Sequence, residues 1–185
     1  MLFRSTHQFN ETGGTVEITN NIIDGPLFSG ADIKLWYAEQ YGSLLFANNT
    51  VAPDDSGNWI ETVPTIDVSI RDNQFTGDLP LTFVNNVLVG DGTTAILLPA
   101  GVSIDSDFNI FSNYAHILSA GTNRTGGNDL TSDAQLTGAD HVPQSGSPAI
   151  DSGATPTQYA GVPSVDHAGT ARPQGAGYDR GAWEQ

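Results

Sequence analysis

At 185 residues, with Gly 21 and Pro 10 spread along its length, the chain is long enough to bury one substantial core, and its many turn formers favour all-β structure over helices. Lys+Arg 6 against Asp+Glu 21 give a formal net charge of -15, which repels a phosphate backbone and argues against nucleic acid as a partner. Cys 0 rules out disulfides and thiolate metal sites, and no apolar run approaches the length of a membrane span.

The chain opens Met1-Leu2-Phe3-Arg4, without the apolar core of a secretion signal, so an exported form would have lost its leader with sequence further upstream. From residue 16 onward an asparagine-centred unit recurs: VEITNNIIDG (16–25), LLFANNTVAP (44–53), VSIRDNQFTG (68–77), LTFVNNVLVG (81–90) and IDSDFNIFSN (104–113). The units align on Asn21, Asn49, Asn73, Asn86 and Asn109. Apolar residues stand five positions earlier, mostly also three earlier, and again two later, and a turn former stands four later.

Apolar residues two apart share one face of a strand. The asparagine marks a bend, where its amide bonds freed backbone and its counterpart in the next unit. One unit alone cannot bury its apolar face, whereas stacked copies can. The expected fold is therefore all-β, a parallel β-solenoid. Spacings of 28, 24 and 23 residues suit one coil each. The remaining spacing, 13 residues from Asn73 to Asn86, reads as a change of face, with Asn21, Asn49 and Asn73 on one ladder and Asn86 and Asn109 on another. Loops are expected at 26–32, 54–64 and 91–94. After about residue 113 the pattern fades, and residues 119–147 read as irregular wrapping.

The C-terminal region carries SPAIDSGA (147–154) and SVDHAGTARPQGAGYDRGAWEQ (164–185). These runs resemble the terminal motif of bacterial right-handed parallel β-helix proteins of the pectate-lyase-like, choice-of-anchor Q type. The matching residues are Ser147 to Asp151, Gly153, Asp166, Gly169, Arg172, Pro173, Asp179, Gly181, Ala182 and Glu184. Arg180 departs from the pattern, which usually has a small apolar residue there. The resemblance implies the C-terminal part of a right-handed β-helix, export to a bacterial surface or beyond, and association with carbohydrate. It does not imply catalysis. The expected organisation is coils and wrapping loops over 1–144, with 145–185 a capping segment of the same domain. In that cap Asp151, Asp166 and Asp179 suit side-chain-closed turns, Arg172 is expected to bond Asp179 or Glu184, and Trp183 to cover the last coil.

Chemistry on such a scaffold belongs to outward strand residues. Only Asp105 and Asp107 place two acids on one outer face, as a polysaccharide hydrolase or lyase requires. With Asp91 they form the candidate calcium site, calcium being the one cofactor suggested. Arg71, the lone basic residue on a predicted outer face, is the remaining catalytic candidate, as a lyase base that would need a depressed pKa hard for a guanidinium to reach; its ordinary role is a salt link to an acid. Trp36, Tyr37 and Tyr41 form an aromatic patch that suits either a sugar ring or the end of the core. His116 and His141 lack partners at zinc spacing, and the sequons at Asn10, Asn48 and Asn123 matter only in a eukaryotic secretory pathway.

Three functions stay open: a polysaccharide-acting enzyme, a non-catalytic glycan-facing adhesion or structural module, and a solenoid that pairs with a copy of itself through an open N-terminal coil.

Overall fold

The computed structural model describes residues 15–24, 43–52, 66–68, 77–90 and 94–185. They form an all-β structure of short strands, with no helix among the described residues and hence none long and apolar enough to cross a membrane.

Strands follow one another in a fixed rotation among three parallel sheets. The five-stranded sheet runs β1 (Thr15–Thr19), β3 (Ser43–Ala47), β6 (Gly77–Val84), β9 (Val102–Asp107), β12 (Thr122–Asn123). The four-stranded sheet holds β2 (Ile22–Asp24), β4 (Thr50–Ala52), β7 (Val87–Val89) and β10 (Ile110–Ser112), and the three-stranded sheet β5 (Ile66–Asp67), β8 (Thr94–Leu97) and β11 (His116–Leu118). Each strand lies beside its counterpart from the next repeat, in register Val16↔Leu44↔Leu81 and Ile18↔Phe46↔Phe83↔Ser106. A short antiparallel pair, β13 (Leu136–Thr137) with β14 (Val142–Pro143), follows.

All three parallel sheets feed one apolar cluster. Leu44, Phe46, Leu81, Phe83 and Ile104 come from the first, Val51, Leu88 and Phe111 from the second, and Ile66, Ala95 and Ile96 from the third. Phe46 and Phe83 stack in register with ring centroids 5.6 Å apart. Each such side chain contributes on the order of 2 kcal/mol through burial, and the stacked copies do collectively what no single repeat can.

The bends between the first two sheets carry one continuous asparagine ladder. The backbone N–H and the side-chain amide of Asn21 both donate to Asn49 Oδ1, at 3.0 and 2.9 Å. Asn49 donates in the same way to Asn86, and Asn86 to Asn109. Every interior rung also bonds a carbonyl of the preceding repeat: Asn49 to Ile18, Asn86 to Phe46 and Asn109 to Phe83. The backbone groups freed by the bend are thereby satisfied.

The two-ladder reading of the sequence is therefore corrected. Asn49 bonds Asn86 directly, across 37 residues, so Asn21, Asn49, Asn86 and Asn109 stand in one file. Asn73 lies outside the described residues. Its unit starts at Val68, which is buried beside the three-stranded sheet and donates to Leu97 O. The misreading has a physical source: any strand with one buried face alternates, so a strand of the third sheet imitates one of the first.

A fifth rung also stands where the sequence pattern had faded. Asn109 donates its N–H and its amide to Asp129 Oδ1, at 2.8 and 3.1 Å. β12 extends the five-stranded sheet beside β9, and Leu130 bridges to Ile110. A last rung need only accept, and a carboxylate is an acceptor-only group. Burial raises the pKa of Asp129 against the bonds from Asn109 and Ser106 that lower it.

Candidate functional site

The outer face of the five-stranded sheet holds the acids singled out in the sequence, and their environments differ. Asp105 is partly exposed and takes a two-pronged bond from Arg124, Nε to Oδ1 at 2.9 Å and Nη2 to Oδ2 at 2.8 Å. Arg124 also reaches Asp78 at 3.1 Å. Hydrogen bonding to Asp105 raises the guanidinium above its ordinary value, burial opposes this, and Asp78 adds to it. The site thus pairs Asp105 with a permanent cation.

Asp107, two residues on, is buried at 7% exposure. Its Oδ1 accepts from the backbone N–H groups of Phe108 and Asn128, and its Oδ2 from the Asn128 amide and the Tyr159 hydroxyl, the last at 2.9 Å. Four donors match the acceptor capacity of a carboxylate. Tyr159 is pushed up to about 12, by burial first and then by its bond to Asp107. It is therefore a hydroxyl donor at neutral pH. Protonating Asp107 for acid catalysis would displace one of these donors, and calcium would have to displace several. A cation at Asp105 would sit against Arg124. The pair does not suit calcium, and Asp91, the third proposed ligand, lies outside the described residues. Among the described residues no three His, Asp or Glu side chains come together as a metal site.

The same outer face is covered by the C-terminal segment. Outward Leu45, Ala47 and Val84 are buried with Ala154 and Val162, and Phe108, Tyr159 and Tyr178 pack against them. Gly161, at φ 87°, lies close against this face: a Cβ there would stand 2.5 Å from Leu45 Cδ2.

Residues just before the ladder asparagines hold this segment. Asn20, Asn48, Asn85 and Phe108 all have positive φ, 53° to 57°. In that left-handed conformation, which asparagine tolerates well, the side chain turns outward while its neighbour keeps the ladder. Asn20 donates to Val165 O and Asn48 to Asp179 O and Gly181 O, while Asn85 exchanges bonds with the backbone of Ala154. The doublet Asn-Asn was the available sequence signal, with one asparagine for the ladder and the other for the clamp.

The segment's interior is charged. Arg172 Nη1 meets Glu184 Oε2 at 2.8 Å, with both side chains at 0% exposure, and the guanidinium also donates to the carbonyls of Asp179, Gly181 and Trp183. Burial lowers the Arg172 pKa and Glu184 opposes that shift. Asp166 accepts from Ala168, Thr170 and Glu184 N–H groups, and Asp151 from Gly177. Asp179 accepts from Asp151 and Gln185 N–H groups, yet burial lifts it to about 6.

Arg180, where the resembled terminal motif has a small apolar residue, is buried at 4% exposure. It donates to the carbonyls of Asn109, Asn128 and Ser152 and lies over the Phe108 ring at 5.7 Å. Trp183 does not cover the last repeat. Its Nε1 bonds Asp140 O and its ring meets His167, because the segment runs along the asparagine corner from Asn20 to Asn109 rather than across one end.

Trp36, Tyr37, Tyr41 and Arg71 lie outside the described residues, as does the sequon at Asn10. Asn48 is fully buried and Asn123 donates its amide to Ser106 O, so neither sequon presents a free amide in this fold. His116 is exposed on β11. His141 lines a cavity of about 250 Å³ with Ala52, Val89, Asp133 and Leu136. Its Nε2 is buried and has no hydrogen-bond partner among the described residues. Comparison with protein-family models, with curated proteins and with solved structures gave no match.

Proposed function

We propose that this chain is a right-handed parallel β-helix that serves as a non-catalytic, glycan-facing structural or adhesion module on the outside of a bacterial cell. The single observation that carries the non-catalytic part is the saturation of Asp107 by four donors beside an Asp105 already forked by Arg124. An acid catalyst needs a proton to give and a base needs a free lone pair; Asp107 has every acceptor site filled, and Asp105 is held as the partner of a permanent cation.

The rotation of strands through three parallel sheets, with a shared core, supports the β-helix reading. The carbohydrate part rests on the resemblance of the C-terminal motif, and the charge of -15 suits a medium whose salts screen it.

The test is a panel of acidic and neutral polysaccharides, with and without calcium, scored for binding by affinity electrophoresis, for unsaturated product and for new reducing ends. Retardation without product is the expected result. Unsaturated product would make the chain a lyase and reducing ends alone a hydrolase. If the double variant Asp105→Ala, Asp107→Ala then loses that product but keeps its folded circular dichroism, the enzyme reading replaces ours. Neither binding nor product would leave a purely structural module.

A further inference from the structure

The asparagine ladder has a direction. In each rung the backbone N–H, which can only donate, points to the side-chain oxygen of the next rung, so that atom is an acceptor at Asn49, Asn86, Asn109 and Asp129 alike. At one end the file closes on the acceptor-only carboxylate of Asp129. At the other end Asn21 has spent its donors: its N–H goes to Asn49 Oδ1, and its amide goes to Asn49 Oδ1 and Thr19 O. Its own Oδ1 accepts nothing from the described residues. β1 and β2 likewise each have a strand on one side only among the described residues.

From this polarity we infer that the Asn21 end is a docking edge for a parallel strand–turn–strand repeat bearing an asparagine at its bend. Such a repeat donates its backbone N–H and its amide into Asn21 Oδ1 and pairs with β1 and β2 on either side of the bend. This is what Asn21 itself does to Asn49 beside β3 and β4.

The same chemistry rejects a second copy of this chain in both orientations. Stacked head to tail, the copy presents Asp129, whose side chain has no donor and whose N–H is bonded to Gly126 O. Stacked head to head, Asn21 meets Asn21 with both amide hydrogens already committed, and two acceptors face each other. Pairing with a second copy through an open first repeat, one of the three functions read from the sequence, thus supplies no ladder donor to Asn21 Oδ1. The inference stands on the ladder alone and is independent of the glycan reading.

The probe is a fluorescein-labelled peptide of residues 77–90, which carry β6, the Asn85-Asn86 bend and β7, mixed with the full chain. Fluorescence anisotropy should show saturable binding, weakened roughly tenfold or more when the peptide carries Asn86→Asp, which removes the donating amide. Bound peptide should slow amide exchange across Thr15–Thr19, and the chain alone should sediment as a monomer. Equal binding of both peptides, or binding of neither, would overturn the polarity argument. A dimer of the chain alone with those same amides protected would show that a second copy occupies the edge, and would overturn it as well.

Discussion

Two regions of this molecule meet the same demand, to satisfy backbone groups where the chain bends, with opposite chemistry. The asparagine corner uses a neutral amide repeated once per rung, each donating to the next and to one carbonyl of the preceding repeat. The C-terminal segment uses ions that occur once: Arg172 with Glu184 at its centre, Asp166 and Asp179 around them, and Arg180 reaching into the corner. Losing one rung of a neutral ladder leaves a polar group unpaired but strands no charge. A charged cluster is held by mutual dependence. Removing one member leaves another ionised where water cannot reach it.

The sharpest way to break the comparison is Arg172→Leu. Glu184 would remain buried without its cation, and the Trp183 carbonyl would lose its donor. A destabilisation of about 3–5 kcal/mol is expected, read as a shift of the urea midpoint.

A smaller loss is expected from Asn86→Ala, on the order of 1–3 kcal/mol, since it removes the acceptor of the buried Asn49 N–H at a fully buried rung. The same change at Asn21, the half-buried end rung, should cost only about 1 kcal/mol or less. Equal costs at the two positions would mean that the ladder acts as one cooperative unit rather than as a sum of rungs.

The gentlest probe is pH. Asp179 has its folded pKa raised from 3.8 to about 6. Its stabilising contribution is therefore full below 3.8 and is lost as pH rises through about 6. Between about pH 4.5 and about pH 7.5 the urea midpoint should fall, with this group's share on the order of 2 kcal/mol. Asp129, raised in the same direction, adds to the fall. Asp179→Asn should flatten part of the dependence, and an unchanged slope would show that Asp179 does not carry it.

Much of the fold was legible because its signals are local. Val16, Leu44, Leu81 and Ile104 mark inward positions, and their asparagines mark the bends. Asp129 was missed because the residues before it break the apolar pattern. Arg124, five positions earlier, faces Asp105 instead of the core. At the candidate site, the two-residue spacing placed Asp105 and Asp107 on one outer face, and nothing in the spacing distinguished them. Tyr159, 52 residues away, buries one and leaves the other to Arg124.

The sequence by itself determined the inward strand positions and the bend chemistry of the units at Asn21, Asn49, Asn86 and Asn109, since these follow from side-chain alternation and from the donors and acceptors of single residues. Only the tertiary structure decided which repeats are neighbours, because the intervals of 28, 37, 23 and 20 residues along the ladder are set by loops whose lengths carry no pairing information. It also decided what covers the outer face, because the segment from Gly153 to Glu184 is held there by contacts spanning up to 152 residues, which no local pattern encodes.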